Sequence, residues 1–215
     1  MSSYNQNSEV EARRKILMLL QDNIRNVISV AGLLPAFVES IDDADELEIL
    51  HTKFLGLTSE SHSLSKAFTT EIISIGPLLT GREELLRLLT SINGFISNLE
   101  DVCDIVTNSK DIKKIKPNYT DELLEISNQL ILSITKIREV VFLLSSNPGD
   151  IFNLTHEILE HTTETEKVLR SFILVVISSK LSPTDALLLN TINDRFLSII
   201  VNIKSIVTNI RIILL

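Results

Sequence analysis

The segment from His156 to His161 is the part of the sequence that comes nearest to a catalytic motif. Its residues are HEILEH, whereas a zinc protease carries two histidines four residues apart on one helix face. The two histidines are five apart here, and that spacing turns them to different faces. Glu157 and His161 can share a face, but two ligands make a weak metal site. We interpret the segment as a solvated polar helix face.

No other combination of residues predicts catalysis. The sequence has no glycine-rich phosphate loop, no nucleophile elbow and no CxxC pair. Its single cysteine, Cys103, excludes an internal disulfide, and the neighbouring Glu100, Asp101 and Asp104 disfavour its thiolate. We therefore predict that the protein is not an enzyme, and we assign no catalytic, cofactor-binding or metal-binding residue and no cofactor.

The overall charge argues against a nucleic-acid partner. The net charge is -8, only 5% of residues are aromatic and tryptophan is absent, so neither clustered cations nor stacking side chains predict binding to a phosphate backbone. The one notable basic cluster, Lys110–Lys116, precedes Pro117. We interpret it as a helix end and a loop, where cations favour the helix dipole.

The two ends of the chain do not predict a membrane protein. Residues 1–8 are polar and lack the basic start and apolar stretch of a signal peptide. The last twenty residues are apolar, but Lys204 and Arg211 interrupt them, so a buried helix is favoured over a membrane span. We expect a cytoplasmic protein that does not span the membrane.

Apolar residues recur three and four positions apart through most of the sequence, and no stretch shows sustained strand alternation. This pattern predicts an all-α helical bundle of about six long helices. The predicted spans are 8–40, 43–76, 81–110, 119–146, 149–180 and 183–214. Pro35 lies inside the first span and predicts a kink or a break there.

Polar residues mark several of the predicted helix starts. Asp42 or Asp43 can cap the second helix, and Ser182 can cap the helix that begins at Pro183. Thr80 and Glu83 have the spacing of a capping box.

The six segments divide into two similar sets of three. One constant offset aligns residues 59–68 with residues 163–172 and also aligns the apolar faces of the third and sixth segments. The aligned faces are Ile92, Phe95, Ile96, Leu99, Val102, Cys103 and Val106 with Phe196, Ile199, Ile200, Ile203, Ile206, Val207 and Ile210. We predict a single domain, 1–215, with a tandem three-helix repeat whose halves are about 8–116 and 117–215.

This architecture resembles the PhoU-like phosphate-transport regulators, in particular the single-chain group that accompanies Pit-type phosphate permeases. The resemblance covers about residues 8–214 and is strongest over residues 74–100 and 163–189. It implies a PhoU-like fold and a non-catalytic regulator or accessory protein of phosphate transport that acts by protein–protein binding.

Many members of that family hold metal ions with acidic pairs four residues apart. The resemblance places three residue pairs at these positions: Asn93 with Ser97, Leu197 with Val201, and Thr163 with Lys167. None is a carboxylate. Glu160 and Glu164 have the spacing but lie out of register. Either the alignment has slipped at these positions or the chain has lost the metal site. We favour loss of the site, and we carry no ligands over.

The partners that the resemblance implies are a phosphate permease or its regulatory system. It also implies a cytoplasmic location, which can be peripheral to the inner face of the membrane. Wide apolar faces suit a homo-oligomer as well. The alternative is a helical scaffold or interaction protein of unrelated role. A metal-dependent enzyme built on His156, Glu157, Glu160 and His161 is the least favoured reading.

Overall fold

Six long helices and one short helix form the described part of the protein, and the apolar periodicity predicts about six long helices. The computed structural model describes residues 2–76, 79–108, 117–144 and 148–213, and this part of the chain contains no strand. The helices are α1 (Ser2–Ala31), α2 (Leu34–Glu39), α3 (Ala44–Ile75), α4 (Arg82–Asn108), α5 (Pro117–Leu143), α6 (Ile151–Ser178) and α7 (Pro183–Ile213). A 3-10 turn, Pro148–Asp150, leads into α6. The basic cluster at 110–116 lies outside the described residues.

Pro35 breaks the first predicted helix in two. The nitrogen of Pro35 has no hydrogen to donate to the Ala31 carbonyl, four residues earlier. Ala31 is the last residue of α1. The Leu33 nitrogen donates instead to the Val30 oxygen at 3.1 Å, which tightens the last turn. Pro35 then lies in the first turn of α2, where a proline is tolerated.

Two of the predicted caps are present, and the third is wrong. The Asp43 carboxylate accepts from the backbone nitrogens of Asp45 and Glu46 at 3.1 Å, and the Ser182 hydroxyl accepts from the backbone nitrogen of Asp185 at 3.1 Å. Thr80 makes no capping bond to any described residue.

The predicted capping box fails because α4 begins one residue later than the box requires. Gly81, at φ 74°, occupies the cap position, and α4 starts at Arg82. The carboxylate of Glu83 then pairs with Arg87 at 2.5 Å.

The centre of the bundle is the packing of α4 against α7. The apolar faces that the constant sequence offset aligns, including Phe95 on α4 and Phe196 on α7, are fully buried in this interface. Around this pair, α3 packs on α4, α6 packs on α7, α1 packs on α3 and α5 packs on α6, while α1 and α5 contact each other. The long helices α1, α3 and α4 thus pack in the same order as α5, α6 and α7, whereas α2 has no counterpart among the described helices.

Within the described residues, α7 is the one helix with the length and hydropathy of a membrane span. However, 44% of its most apolar window is buried inside the bundle, and α7 packs against both α4 and α6. This packing favours a core helix, in agreement with the sequence-based interpretation.

Polar contacts across the α4–α7 interface occur in related pairs. Asp101 Oδ2 lies 3.0 Å from Arg195 Nε, and Ser91 Oγ lies 2.8 Å from Ser205 Oγ. The offset that relates the two halves takes Asp101 to Ser205 and Ser91 to Arg195. Reciprocal contacts of this kind are typical of a two-fold axis, and they support the proposal of an internal repeat.

A second pair of equivalent contacts lies between the two outer helices and the central ones. His62 Nε2 on α3 is 3.5 Å from Glu100 Oε1 on α4. At the equivalent positions, Glu166 on α6 is 2.5 Å from Lys204 Nζ on α7. Hydrogen bonds from Lys204 and then from Arg170 lower the pKa of Glu166. The two contacts join equivalent positions. The acid is on the inner helix, α4, in the first contact and on the outer helix, α6, in the second.

Candidate functional site

His161 is not part of a solvated face, contrary to the sequence-based interpretation. It is half-buried between α5 and α6. Its Nδ1 lies 2.9 Å from Ser133 Oγ, and its Nε2 lies 2.5 Å from Gln129 Oε1. Burial, followed by the positive charge of Lys136, lowers the pKa of this imidazole. Both ring nitrogens are therefore occupied by α5 side chains.

The remaining polar residues of this segment have other partners. His156 Nε2 lies 3.3 Å from Glu160 Oε1, and Glu157 Oε2 lies 3.3 Å from Lys136 Nζ on α5. Glu157 and His161 thus contact different groups, and the structure does not bring the two histidines together at one site. Among the described residues, no three His, Cys, Asp or Glu side chains are grouped so that they could hold a metal ion.

The positions that the family resemblance assigns to metal pairs lie on outward-facing or half-buried surface. Asn93 is exposed, and its Oδ1 accepts from Ser65 Oγ on α3 at 2.6 Å. Ser97 is also exposed. Their repeat equivalents on α7 are the half-buried Leu197 and the exposed Val201. Neither pair offers a carboxylate to a cation.

The third pair position and the out-of-register acids lie along α6. The Thr163 hydroxyl donates to the Leu159 carbonyl at 2.8 Å, and Lys167 Nζ pairs with Glu164 Oε1 at 2.7 Å. With Glu160 held by His156, each of these groups has a neighbour on its own helix. A depression of about 590 Å³ lies over this face, but it is lined by α6 alone.

Cys103 is a core residue rather than a nucleophile. Its side chain is fully buried, and this burial, followed by the charges of Asp104 and Glu100, raises the pKa of the thiol well above its usual value. The acidic neighbours predicted the direction of the shift, but burial is the larger cause.

The surface feature that the sequence analysis missed is a groove along one flank of α1, beside its buried face. We call it the α1–α5 groove. Its first part, of about 460 Å³, is lined by Val10, Arg13, Arg14, Leu17, Met18, Gln21 and Leu144. Gln21 joins it to a second part, of about 530 Å³, which is lined by Arg25, Arg138, Glu139, Phe142, Leu143 and Leu154.

A second stripe on α1 produces this groove. Ile16, Leu20 and Ile24 form the buried face of the helix. Val10, Leu17 and Met18, with the groove arginines between them, repeat at helical spacing on another side. The second stripe is visible in the sequence and could have predicted one side of the groove. The side that α5 forms could be identified only from the tertiary structure.

The fold of the chain is similar to that of a solved structure. The chain superposes on the crystal structure of a protein described as a PhoU-like phosphate regulatory protein, from Shewanella oneidensis MR-1, with a TM-score of 0.66 and 15% sequence identity. The match covers 93% of this chain and 98% of the other. The chain therefore has a PhoU-like fold. No family model matches the sequence, and no curated protein matches it.

Proposed function

We propose that this protein is a non-catalytic regulator or accessory protein of phosphate transport that acts by binding another protein. The observation that carries the proposal is the match along nearly the whole chain to a PhoU-like phosphate regulatory protein. Because one fold can serve several functions, the site must supply the mechanism. The α1–α5 groove supports a binding role, since it combines exposed apolar side chains with charged ones.

The partner in this proposal is a phosphate permease of the Pit type or the system that controls it. The protein would act in the cytoplasm, at the inner face of the membrane where a permease presents its soluble segments. It would be a homo-oligomer with two equivalent three-helix halves in one domain. The family resemblance supports the partner and the location, wide apolar faces support the oligomer, and the paired contacts across α4–α7 support the two halves.

Deletion of the gene tests the proposal directly. We expect uptake of radiolabelled phosphate to change in the deletion strain under phosphate-rich or phosphate-starved conditions, and we expect the intact gene to restore it. The deletion strain that carries the empty vector is the control. Unchanged uptake under both conditions would contradict the proposal and leave a helical scaffold of unrelated role.

A further inference from the structure

The α1–α5 groove is cationic, although the whole chain carries a net charge of -8. Four of the nine arginines of the sequence line it. Arg13, Arg14 and Arg138 are exposed and make no ion pair with any described side chain from Val10 onward, whereas Arg25 pairs with Asp22 at 2.8 Å. Glu139 is the acidic residue of the lining. The groove is therefore a local positive region on an acidic protein.

The same groove exposes large apolar side chains. Val10 is 67% exposed, Met18 is 55% exposed and Phe142 is 63% exposed. Apolar side chains that are grouped in a concavity and bordered by charge mark an interaction site more often than apolar residues scattered singly. A flexible thioether such as that of Met18 also adapts its shape to different apolar partners.

We infer that the α1–α5 groove binds an acidic amphipathic helix of a partner protein. The stripe from Val10 to Arg25 covers about four helical turns, or about 22 Å, which is the length that a docked helix with apolar anchors at three- and four-residue spacing requires. Arginine matches carboxylates because its planar guanidinium can donate two parallel hydrogen bonds. The inference rests on the proposed function and specifies the chemistry of the partner.

Charge selects this occupant over a second copy of the chain. If two copies docked groove to groove, the arginines of one groove would face those of the other, whereas an acidic segment of a partner is attracted to the positive region. The cylindrical shape of a helix also fits a groove between two helices, whereas the flat surface of a lipid bilayer does not enter it.

The test measures binding of a labelled synthetic helical peptide of about four turns, with leucines on one face and glutamates on the other, by fluorescence anisotropy. A second peptide carries lysines in place of the glutamates. The groove variant is R14E/R138E, and the matched control is R82E, which reverses an exposed arginine at the start of α4. Circular dichroism and the thermal midpoint confirm that the variants are folded.

We expect the acidic peptide to bind, the lysine peptide to bind more weakly, and the groove variant to raise Kd about tenfold. The R82E variant should leave Kd within about twofold, and added salt should weaken binding. Equal binding of both peptides, or equal effects of R14E/R138E and R82E, would overturn the inference.

Two further measurements separate the other occupants. Sedimentation with phosphatidylglycerol vesicles that depends on Arg14 and Arg138, without binding of the acidic peptide, would overturn the inference in favour of a lipid surface. A dimer in analytical ultracentrifugation that R14E/R138E dissociates would overturn it in favour of a second copy.

Failure of this inference is distinguishable from failure of the proposed function. If deletion leaves phosphate uptake unchanged while the acidic peptide still binds through Arg14 and Arg138, the groove chemistry stands and the transport role falls. If uptake changes while neither arginine affects peptide binding, the transport role stands and the groove is not its acidic-helix site.

Discussion

Asn193 is a buried polar residue whose side chain has no hydrogen-bond partner in the part of the chain that the structure describes. It lies on α7 with no exposed surface, and neither its Oδ1 nor its Nδ2 makes a hydrogen bond to a described residue. Burial without compensating bonds costs about 1–3 kcal/mol. The equivalent position in the first half is Leu89, which is also buried, so an apolar side chain fits the same structural environment there.

We therefore predict that Asn193→Leu raises the free energy of unfolding by about 1–3 kcal/mol, because the desolvated amide is removed. Urea denaturation followed by circular dichroism would measure the change. The reciprocal variant, Leu89→Asn, serves as the control and should destabilise the protein. A lower midpoint for Asn193→Leu would show that the amide stabilises the native state.

His161 makes stability depend on pH. Burial and Lys136 hold its pKa below 6.5 in the folded protein, so the unfolded chain takes up a proton at higher pH than the folded chain does. The stabilising contribution is complete above pH 6.5 and is lost as the pH falls through the folded pKa.

We expect His161→Gln to reduce the loss of stability between about pH 7 and about pH 5, because the titrating group is absent. Unfolding midpoints in urea at several pH values would measure this slope. His156→Gln changes an exposed histidine of the same helix and is the matched control. An identical pH slope in wild type and His161→Gln would refute the prediction.

At the scale of helices, two glycines in or at the end of α3 have opposite requirements. Gly56 lies inside the helix, is exposed, and would place a β-carbon in open space. Gly76 ends the helix at φ 64°, a conformation that residues with a β-carbon rarely adopt.

Gly56→Ala should raise the free energy of unfolding by about 0.5–1 kcal/mol, since alanine loses less backbone entropy in a helix. Gly76→Ala should lower it by about 1–3 kcal/mol, because a φ of 64° with a ψ of -138° is strained for a residue with a β-carbon. Thermal unfolding of the two variants gives the comparison. Stabilisation by both substitutions would show that α3 ends differently in solution.

Helix existence was predictable from the sequence, because the periodic apolar faces and the broken pattern at Pro35 are local properties. The start of α4 was not, since the competition between Thr80 and Gly81 for the cap position depends on the backbone angles of the preceding turn. The environment of His161 depends on which α5 side chains face α6, and the α1–α5 groove depends on the contact between two distant helices. The periodicity of apolar residues along one helix does not show which helices contact each other, so it predicts neither feature.

At the scale of the whole molecule, the two proposed halves share one core. Phe95 of α4 is fully buried in the cluster that contains Phe196 of α7, so neither half encloses its own apolar face. The groove does not follow this symmetry, because the position equivalent to Arg25 is Gln129, which contacts His161. Each chain therefore has one such groove, and the peptide should bind with one-to-one stoichiometry.

A shared core predicts cooperative unfolding. We expect a single transition in calorimetry and in circular dichroism, and we expect Phe95→Ala to lower its stability by about 3–5 kcal/mol without splitting it. Near-coincident transitions by the two methods would support this, with the surface variant Arg82→Glu as the control. Two separate transitions would mean that the halves unfold independently.

The exchanged acid and base at the two equivalent contacts have a consequence for how the chain reaches its native state. Consider an incorrect arrangement in which α4 takes the position of α7 against α6. Glu100 would then lie beside Glu166, and two carboxylates would be brought together. The correct arrangement instead pairs each of them with a basic group. If the proposed internal repeat is real, docking of the wrong copy of an element is the expected folding error, and the like charges of Glu100 and Glu166 would oppose this one.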